Sequence, residues 1–119
     1  HDNTTLADWW ENGASAKEKA TAAAYLHLTS CKPTAKEVAA VKTDDARTAL
    51  LRAALGSVAD RAIIPMYDWL GLGAEAHLNT PGKLGGNWAW RAKAGFDTKA
   101  LAAQIKAECE VVCRTESAV

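Results

Sequence analysis

The chain has 119 residues, 49 % of them hydrophobic and 24 % charged, which suits one globular segment of modest size. Fourteen basic residues offset fourteen acidic ones, so no net field draws the chain to nucleic acid or to an anionic membrane. No apolar run approaches the roughly 20 residues that a membrane helix needs.

Helices with short breaks are expected over the N-terminal two-thirds. In "NTTLADWWEN", Thr4 or Thr5 is a candidate N-cap, Leu6, Trp9 and Trp10 follow at helical spacing, and Gly13 closes the piece. "SAKEKATAAAYLHL" opens with Ser15 and Glu18, a capping box, and continues in strong helix formers. Pro33 breaks the chain, and Thr34 with Glu37 repeats the box over a short helix. "TDDARTALLRAALGSVA", from Thr43, is the clearest helix. Asp44 and Asp45 suit its positive end. Ala46, Leu50, Ala54 and Val58 make a four-spaced stripe, widened by Leu51 and Leu55. Ala62 to Met66 reads as a short apolar strand. A helix followed by such a strand points to an α/β fold, mostly helical here, with one strand at about 62–66. A long loop from Gly71 to Gly95 follows. Asp97 or Thr98 then caps a last helix that runs through Cys113 with Leu101, Ile105 and Val112 on its apolar side. A lone strand cannot form a sheet, and the first residue is His1 rather than Met. The chain is therefore expected to be a single segment, 1–119, of something longer rather than a complete domain.

Three cysteines, Cys31, Cys109 and Cys113, are an odd number that makes no disulfide framework and favours a reducing, intracellular compartment. Cys109 and Cys113 stand one helical turn apart, but no further ligands lie near them in sequence, so neither a metal nor an organic cofactor is expected.

Three stretches hold chemistry-bearing residues. "HDNTT" offers donors, an acceptor and an amide, and serves equally as a polar loop capping the next helix. In "PMYDWLGLG", Asp68 stands just beyond an apolar strand, a frequent place for function in α/β barrels, or caps the turn that follows. In "HLNTPGKLGGNWAWR", Pro81-Gly82 is a turn dipeptide and Gly85-Gly86 permits positive φ. Trp88 and Trp90 fall on one face if the backbone is extended, either as anchors of the loop or as flat surfaces for a sugar.

In this order, "HDNTTLADWWE" and then "SVADRAIIPMYDWLGLGAEAHLNTPGKLGGNWAWR", from Ser57 to Arg91, resemble the C-terminal part of the 4-alpha-glucanotransferases, the amylomaltases or disproportionating enzymes of glycoside hydrolase family 77. The family pattern reads roughly His-Asp-Asn-Asp-Thr-x-x-Gly-Trp-Trp, then Ile-Pro-x-Gln-Asp-x-Leu-Gly-Leu-Gly, Arg-Met-Asn-x-Pro-Gly-Thr and Gly-Asn-Trp-x-Trp-Arg. The resemblance implies a (β/α)8 barrel and transfer of α-1,4-glucan segments between malto-oligosaccharides by a retaining double displacement. It implies Asp2 as the transition-state stabiliser, with His1 beside it on the same sugar. Asn3, Asp68, Asn79, Pro81 and Trp88 are the implied substrate-binding positions. The nucleophile and the acid/base lie outside this chain, which alone is expected to be inactive. The implied partners are a malto-oligosaccharide or starch-type glucan and the remaining N-terminal part of the same enzyme, in the cytoplasm or a plastid. Thr4, Asp8, Tyr67, His77 and Lys83 depart from the pattern, which usually has Asp, Gly, Gln, Arg and Thr there. The readings weighed against this one are a non-catalytic carbohydrate-binding module using Trp88 and Trp90, and a small helical interaction protein.

Overall fold

The structure, a computed structural model, describes residues 1–115; positions 116–119 of the expected segment lie outside them. Its helices are α1 (Leu6–Asp8), α2 (Ala16–Tyr25), α3 (Ala35–Ala39), α4 (Thr43–Leu55), α5 (Met66–Trp69) and α6 (Lys99–Val111). A π turn, Trp9–Gly13, continues α1, and a 3-10 turn, Ala74–Ala76, follows α5.

The local signals are met at most helix starts. Thr5, rather than Thr4, caps α1 by accepting the Asp8 N–H. Ser15 with Glu18 and Thr34 with Glu37 form both reciprocal bonds of the capping box. Those bonds hold both glutamates below the usual carboxylate range, the backbone N–H contributing most. Thr98 caps α6 through the Leu101 N–H. The π turn is closed by the Ala14 N–H on the Trp9 carbonyl, 2.7 Å, and sets the Trp9 and Trp10 rings 6.4 Å apart.

Helix α4 is the spine. Its first half contributes Ala46 to a cluster with Trp10 and Ala23, flanked by Trp9, Ala22, Leu28 and Val41. Its second half contributes Leu51 and Leu55 to a cluster with Trp69, flanked by Leu6, Ile64, Met66, Leu101, Ile105 and Val112. The apolar side expected for α6 is therefore the observed one. The stripe expected on α4 holds at Ala46, Leu51 and Leu55 and fails toward its end. Ala46, Arg47, Leu51 and Leu55 are buried, Ala54 is exposed, and Val58 is bare. The reason is local: the helix stops at Leu55 with Gly56 as its cap, so Val58 is no longer on any helix face.

Side chains close the join between α4 and α6. Arg52 grips Glu108 with Nε–Oε2 2.9 Å and Nη2–Oε1 2.8 Å. This pairing raises the arginine and holds the glutamate below the usual carboxylate range. Arg114 donates to the carbonyl of Leu55, which the end of α4 leaves open, and to those of Ser57, Ala59 and Asp60 in the loop that follows.

The strand expected at 62–66 is not present, and there is no strand among the described residues. Residues 61–65 take no regular secondary structure, Pro65 has an extended backbone, and Met66 already begins α5. Their exposure alternates as a strand's does: Ala62, Ile64 and Met66 turn to the second cluster while Ile63 is 90 % exposed. A pleated run needs a neighbouring ladder to become a strand, and none of the described residues supplies one.

Candidate functional site

The N-terminal segment and the loop after the 3-10 turn meet. The Asn79 N–H donates to the His1 carbonyl at 3.2 Å, and the Asn79 amide donates to Asp2 Oδ1 at 2.6 Å. His77 Nε2 lies 3.1 Å from the Asp2 carbonyl, so the ring donates there from that nitrogen. His1 Nε2 is 3.0 Å from Asp2 Oδ1, and the Asp2 side chain is 54 % exposed. Oδ1 is thus held by two side chains, and among the described residues no group binds Oδ2. The arrangement presents a fixed, half-open carboxylate with an acceptor oxygen to spare.

The loop that delivers Asn79 is shaped by its own turn chemistry. Lys83 N–H returns to the Thr80 carbonyl at 3.1 Å, with Pro81 and Gly82 at the corners and φ +80° at Gly82, a type II turn. Asn87 bolts that turn: its Oδ1 accepts the Thr80 N–H and its Nδ2 donates to the Lys83 carbonyl, both at 2.9 Å. Trp88 N–H then binds the Leu78 carbonyl at 2.6 Å. Trp88 itself has φ +59°, a left-handed backbone that costs a non-glycine residue about 1 kcal/mol or more.

That backbone separates the two tryptophans. Trp88 turns to the N-terminal segment, with its ring 4.9 Å from that of His1, and remains 56 % exposed. Trp90 packs edge-on against Tyr67, at 6.0 Å and 78°. The one-face arrangement that an extended backbone gives is not formed. Trp90 anchors the loop to the frame, and Trp88 presents an indole face beside Asp2.

His1, Asp2, Asn79 and Trp88 are therefore brought together, and His77 joins them. Asn3 is exposed beside them, and Pro81 lies exposed at the turn's corner. Asp68 is elsewhere: it is buried, and its Oδ1 accepts the Leu6 N–H at 2.8 Å. It caps neither its own turn nor the open site, but the start of α1. Burial pushes the Asp68 carboxyl above its ordinary range, against the Leu6 N–H and the Arg47 charge; burial likewise raises Tyr67, with Asp68 adding to it.

Arg47 is the residue that the sequence reading passed over. It is buried, and its Nη1 donates to the carbonyls of Asp68, 2.9 Å, and Trp69, 3.4 Å, while Nε reaches Asp44 at 3.3 Å. The signal was an arginine one helical turn before Leu51 and two before Leu55, on the buried side of α4. Gly71, at φ +68°, lies so close that a Cβ there would sit 3.1 Å from Arg47 Nε.

Two departures from the family pattern contact one another. The Thr4 hydroxyl donates to Asp8 Oδ2, and Asn12 donates to Asp8 Oδ1 at 2.8 Å. These bonds, with Thr4 first, hold Asp8 below the usual carboxylate range.

Among the described residues no three His, Cys, Asp or Glu side chains gather as metal ligands, and no helix is long and apolar enough to cross a membrane.

The sequence model of a family described as 4-alpha-glucanotransferase matches residues 1–97. The chain is 40 % identical over 91 residues to a chloroplastic/amyloplastic 4-alpha-glucanotransferase of Arabidopsis thaliana, covering 76 % of this chain and 14 % of that one. It is 36 % identical over 105 residues to a 4-alpha-glucanotransferase of Clostridium butyricum, covering 88 % and 19 %. The Thermus thermophilus 4-alpha-glucanotransferase is 36 % identical over 114 residues, covering 96 % of this chain and 21 % of its own length. The chain thus spans a fifth or less of the first two relatives and about a fifth of the third.

Proposed function

The chain belongs to the 4-alpha-glucanotransferase family, and on that premise we propose that it is the C-terminal part of an enzyme that moves α-1,4-glucan segments between malto-oligosaccharides by a retaining double displacement. The observation that carries this reading is the carboxylate of Asp2, clamped by Asn79 and His1 beside the exposed face of Trp88. A fixed carboxylate that accepts sugar hydroxyls binds more strongly as positive charge grows at the anomeric carbon. It therefore favours the oxocarbenium-like transition state over the ground state. In this reading Asn79 aims the carboxylate, His1 donates to the same sugar, and Trp88 offers the apolar face of a glucose a flat surface. Asn3 and Pro81 border the glucan.

Retention requires two further carboxyl groups about 5–5.5 Å apart, one as nucleophile and one as acid and then base. We assign both to the part of the enzyme outside this chain. We also assign the chain to the end of a (β/α)8 barrel. The alternating exposure of 61–65, with Ile63 bare, is what a barrel strand shows when its neighbours are missing. We place the enzyme inside the cell, in the cytoplasm or a plastid. Two of its plant relatives are named chloroplastic/amyloplastic.

Asp2→Asn in the enzyme carrying this segment tests the reading. It keeps the shape of the side chain and removes its charge. Maltotriose disproportionation is expected to fall by about 10²–10³-fold or more, with the fold unchanged by circular dichroism. A near-normal rate overturns the assignment of Asp2. The 119-residue chain alone, incubated with maltotriose, is expected to release no glucose.

A further inference from the structure

We propose that Asp68 is a positioning residue: buried at the start of α1, it sets the Asp2 carboxylate by holding the Leu6 amide. The proposal rests on the glucanotransferase reading above.

One stretch of chain, residues 68–79, grips the N-terminal segment at several points. Asp68 Oδ1 takes the Leu6 N–H at 2.8 Å, His77 holds the Asp2 carbonyl at 3.1 Å, and Asn79 holds the His1 carbonyl at 3.2 Å and the Asp2 side chain at 2.6 Å. Between the two ends of this grip, Thr5 is completely buried and caps α1. The backbone from Asp2 to Leu6 is therefore fixed at both ends, and its inner end is fixed by Asp68. Asp68 is itself fixed. Arg47 donates to the carbonyls of Asp68 and Trp69 from below, and Gly71 leaves room for the guanidinium. With 7 % of its surface exposed and its Oδ1 taken by the Leu6 amide, Asp68 acts on the site through the backbone rather than through the sugar.

This position also accounts for a buried carboxylate without giving it substrate. An acceptor is required because the first N–H groups of a helix have no partner within it. The needed property is the acceptor at Oδ1, so asparagine meets it and alanine does not.

The test compares Asp68→Ala with Asp68→Asn in the enzyme carrying this segment, by kcat and KM for maltotriose and by melting temperature. Asp68→Ala is expected to lower kcat by about 10–100-fold with KM within about threefold, the signature of a misplaced reacting group. Asp68→Asn is expected to restore kcat to within about fivefold of wild type, since it keeps the acceptor. A rise in KM that exceeds the fall in kcat marks a direct sugar contact and overturns the proposal. So does an unchanged kcat in Asp68→Ala, or an asparagine variant no better than alanine. If Asp68→Ala does not fold, Asp68→Asn decides alone: kcat within about fivefold at unchanged KM supports the proposal, and a larger loss or a raised KM overturns it. Failure of the underlying reading shows differently, as wild-type enzyme without disproportionation or as undiminished rate in Asp2→Asn, and the positioning role falls with it.

Discussion

Residues 6–70 and residues 77–98 are held by different forces. The first region is a helical frame around two apolar clusters, in which α4 touches both. The second contains no helix and is largely exposed. It keeps its shape through the Thr80–Lys83 turn, the Asn87 clamp, the Trp88 N–H on Leu78 and the single edge-on contact of Trp90 with Tyr67. Directional bonds fix a loop without giving it a core, and apolar burial fixes a frame without aiming any one side chain. The candidate site sits where the loop meets His1 and Asp2, the segment that leads into the frame, so the frame supplies stability and the loop supplies geometry.

The comparison breaks most visibly in the frame. Trp69 is buried between α4 and α6, with 8 % exposure. Trp69→Ala is expected to destabilise the chain by about 3–5 kcal/mol, read as a large fall in melting temperature or denaturant midpoint. A loss below about 1 kcal/mol would mean that the second cluster is not what holds α5 and α6 to α4. In the loop the corresponding lesion is Asn87→Ala. It removes two hydrogen bonds around one turn, and is expected to cost about 1–2 kcal/mol locally. Hydrogen exchange at the Thr80 amide should quicken while global melting barely moves. Equal effects on both would dissolve the distinction between frame and loop.

What the sequence disclosed follows the same division. Caps are local, so Ser15–Glu18 and Thr34–Glu37 were readable from spacing alone, and the cap of α6 was narrowed to Asp97 or Thr98, of which Thr98 is the one formed. The apolar side of α6 was readable because Leu101, Ile105 and Val112 share one neighbour, the second cluster. The strand at 62–66 was misread because the pleat is a property of the segment and the ladder is a property of its partner. On the buried side of α4, Ala46, Leu51 and Leu55 were readable and one position was missed, because an arginine, Arg47, occupies it. A charge is admitted there only because the backbone carbonyls of Asp68 and Trp69 await it. The meeting of Asp2 with Asn79 spans most of the chain, and no local pattern encodes it; the family resemblance brought both residues forward, and their contact came only with the fold. Trp88 and Trp90 diverge because Trp88 takes a left-handed backbone that no spacing rule anticipates.

The join of α4 to α6 sharpens the comparison through pH. Glu108 is held below the usual carboxylate range, chiefly by its hydrogen bonds to Arg52. A carboxylate lowered in the fold lends stability that is complete above its unfolded pKa and is lost as pH falls through the folded one. Asp68, raised by burial, acts in the opposite sense, and its contribution declines as pH rises from the ordinary carboxylate range to its raised value. Arg52 is 63 % exposed, so solvent screens the pair and about 0.5–1 kcal/mol is at stake. Glu108→Gln should flatten the acid limb of the stability profile by that amount. An unchanged acid limb would show that the two helices are joined by the apolar cluster alone.

The smallest effect tests whether two departures from the family pattern are one event. The family usually has Asp where this chain has Thr4, and Gly where it has Asp8. Here the Thr4 hydroxyl donates to the Asp8 carboxylate, which Asn12 also binds. The reading tested is that the acid at position 8 replaces the one usual at position 4, with the hydroxyl at 4 serving it. If so, Thr4→Val and Asp8→Gly should each destabilise the start of α1, and the double variant should lose less than their sum. A coupling of about 0.5–1 kcal/mol is expected for a partly exposed, charge-assisted bond. Strict additivity in the double-mutant cycle would mean that the two residues entered independently and that the bond between them contributes nothing.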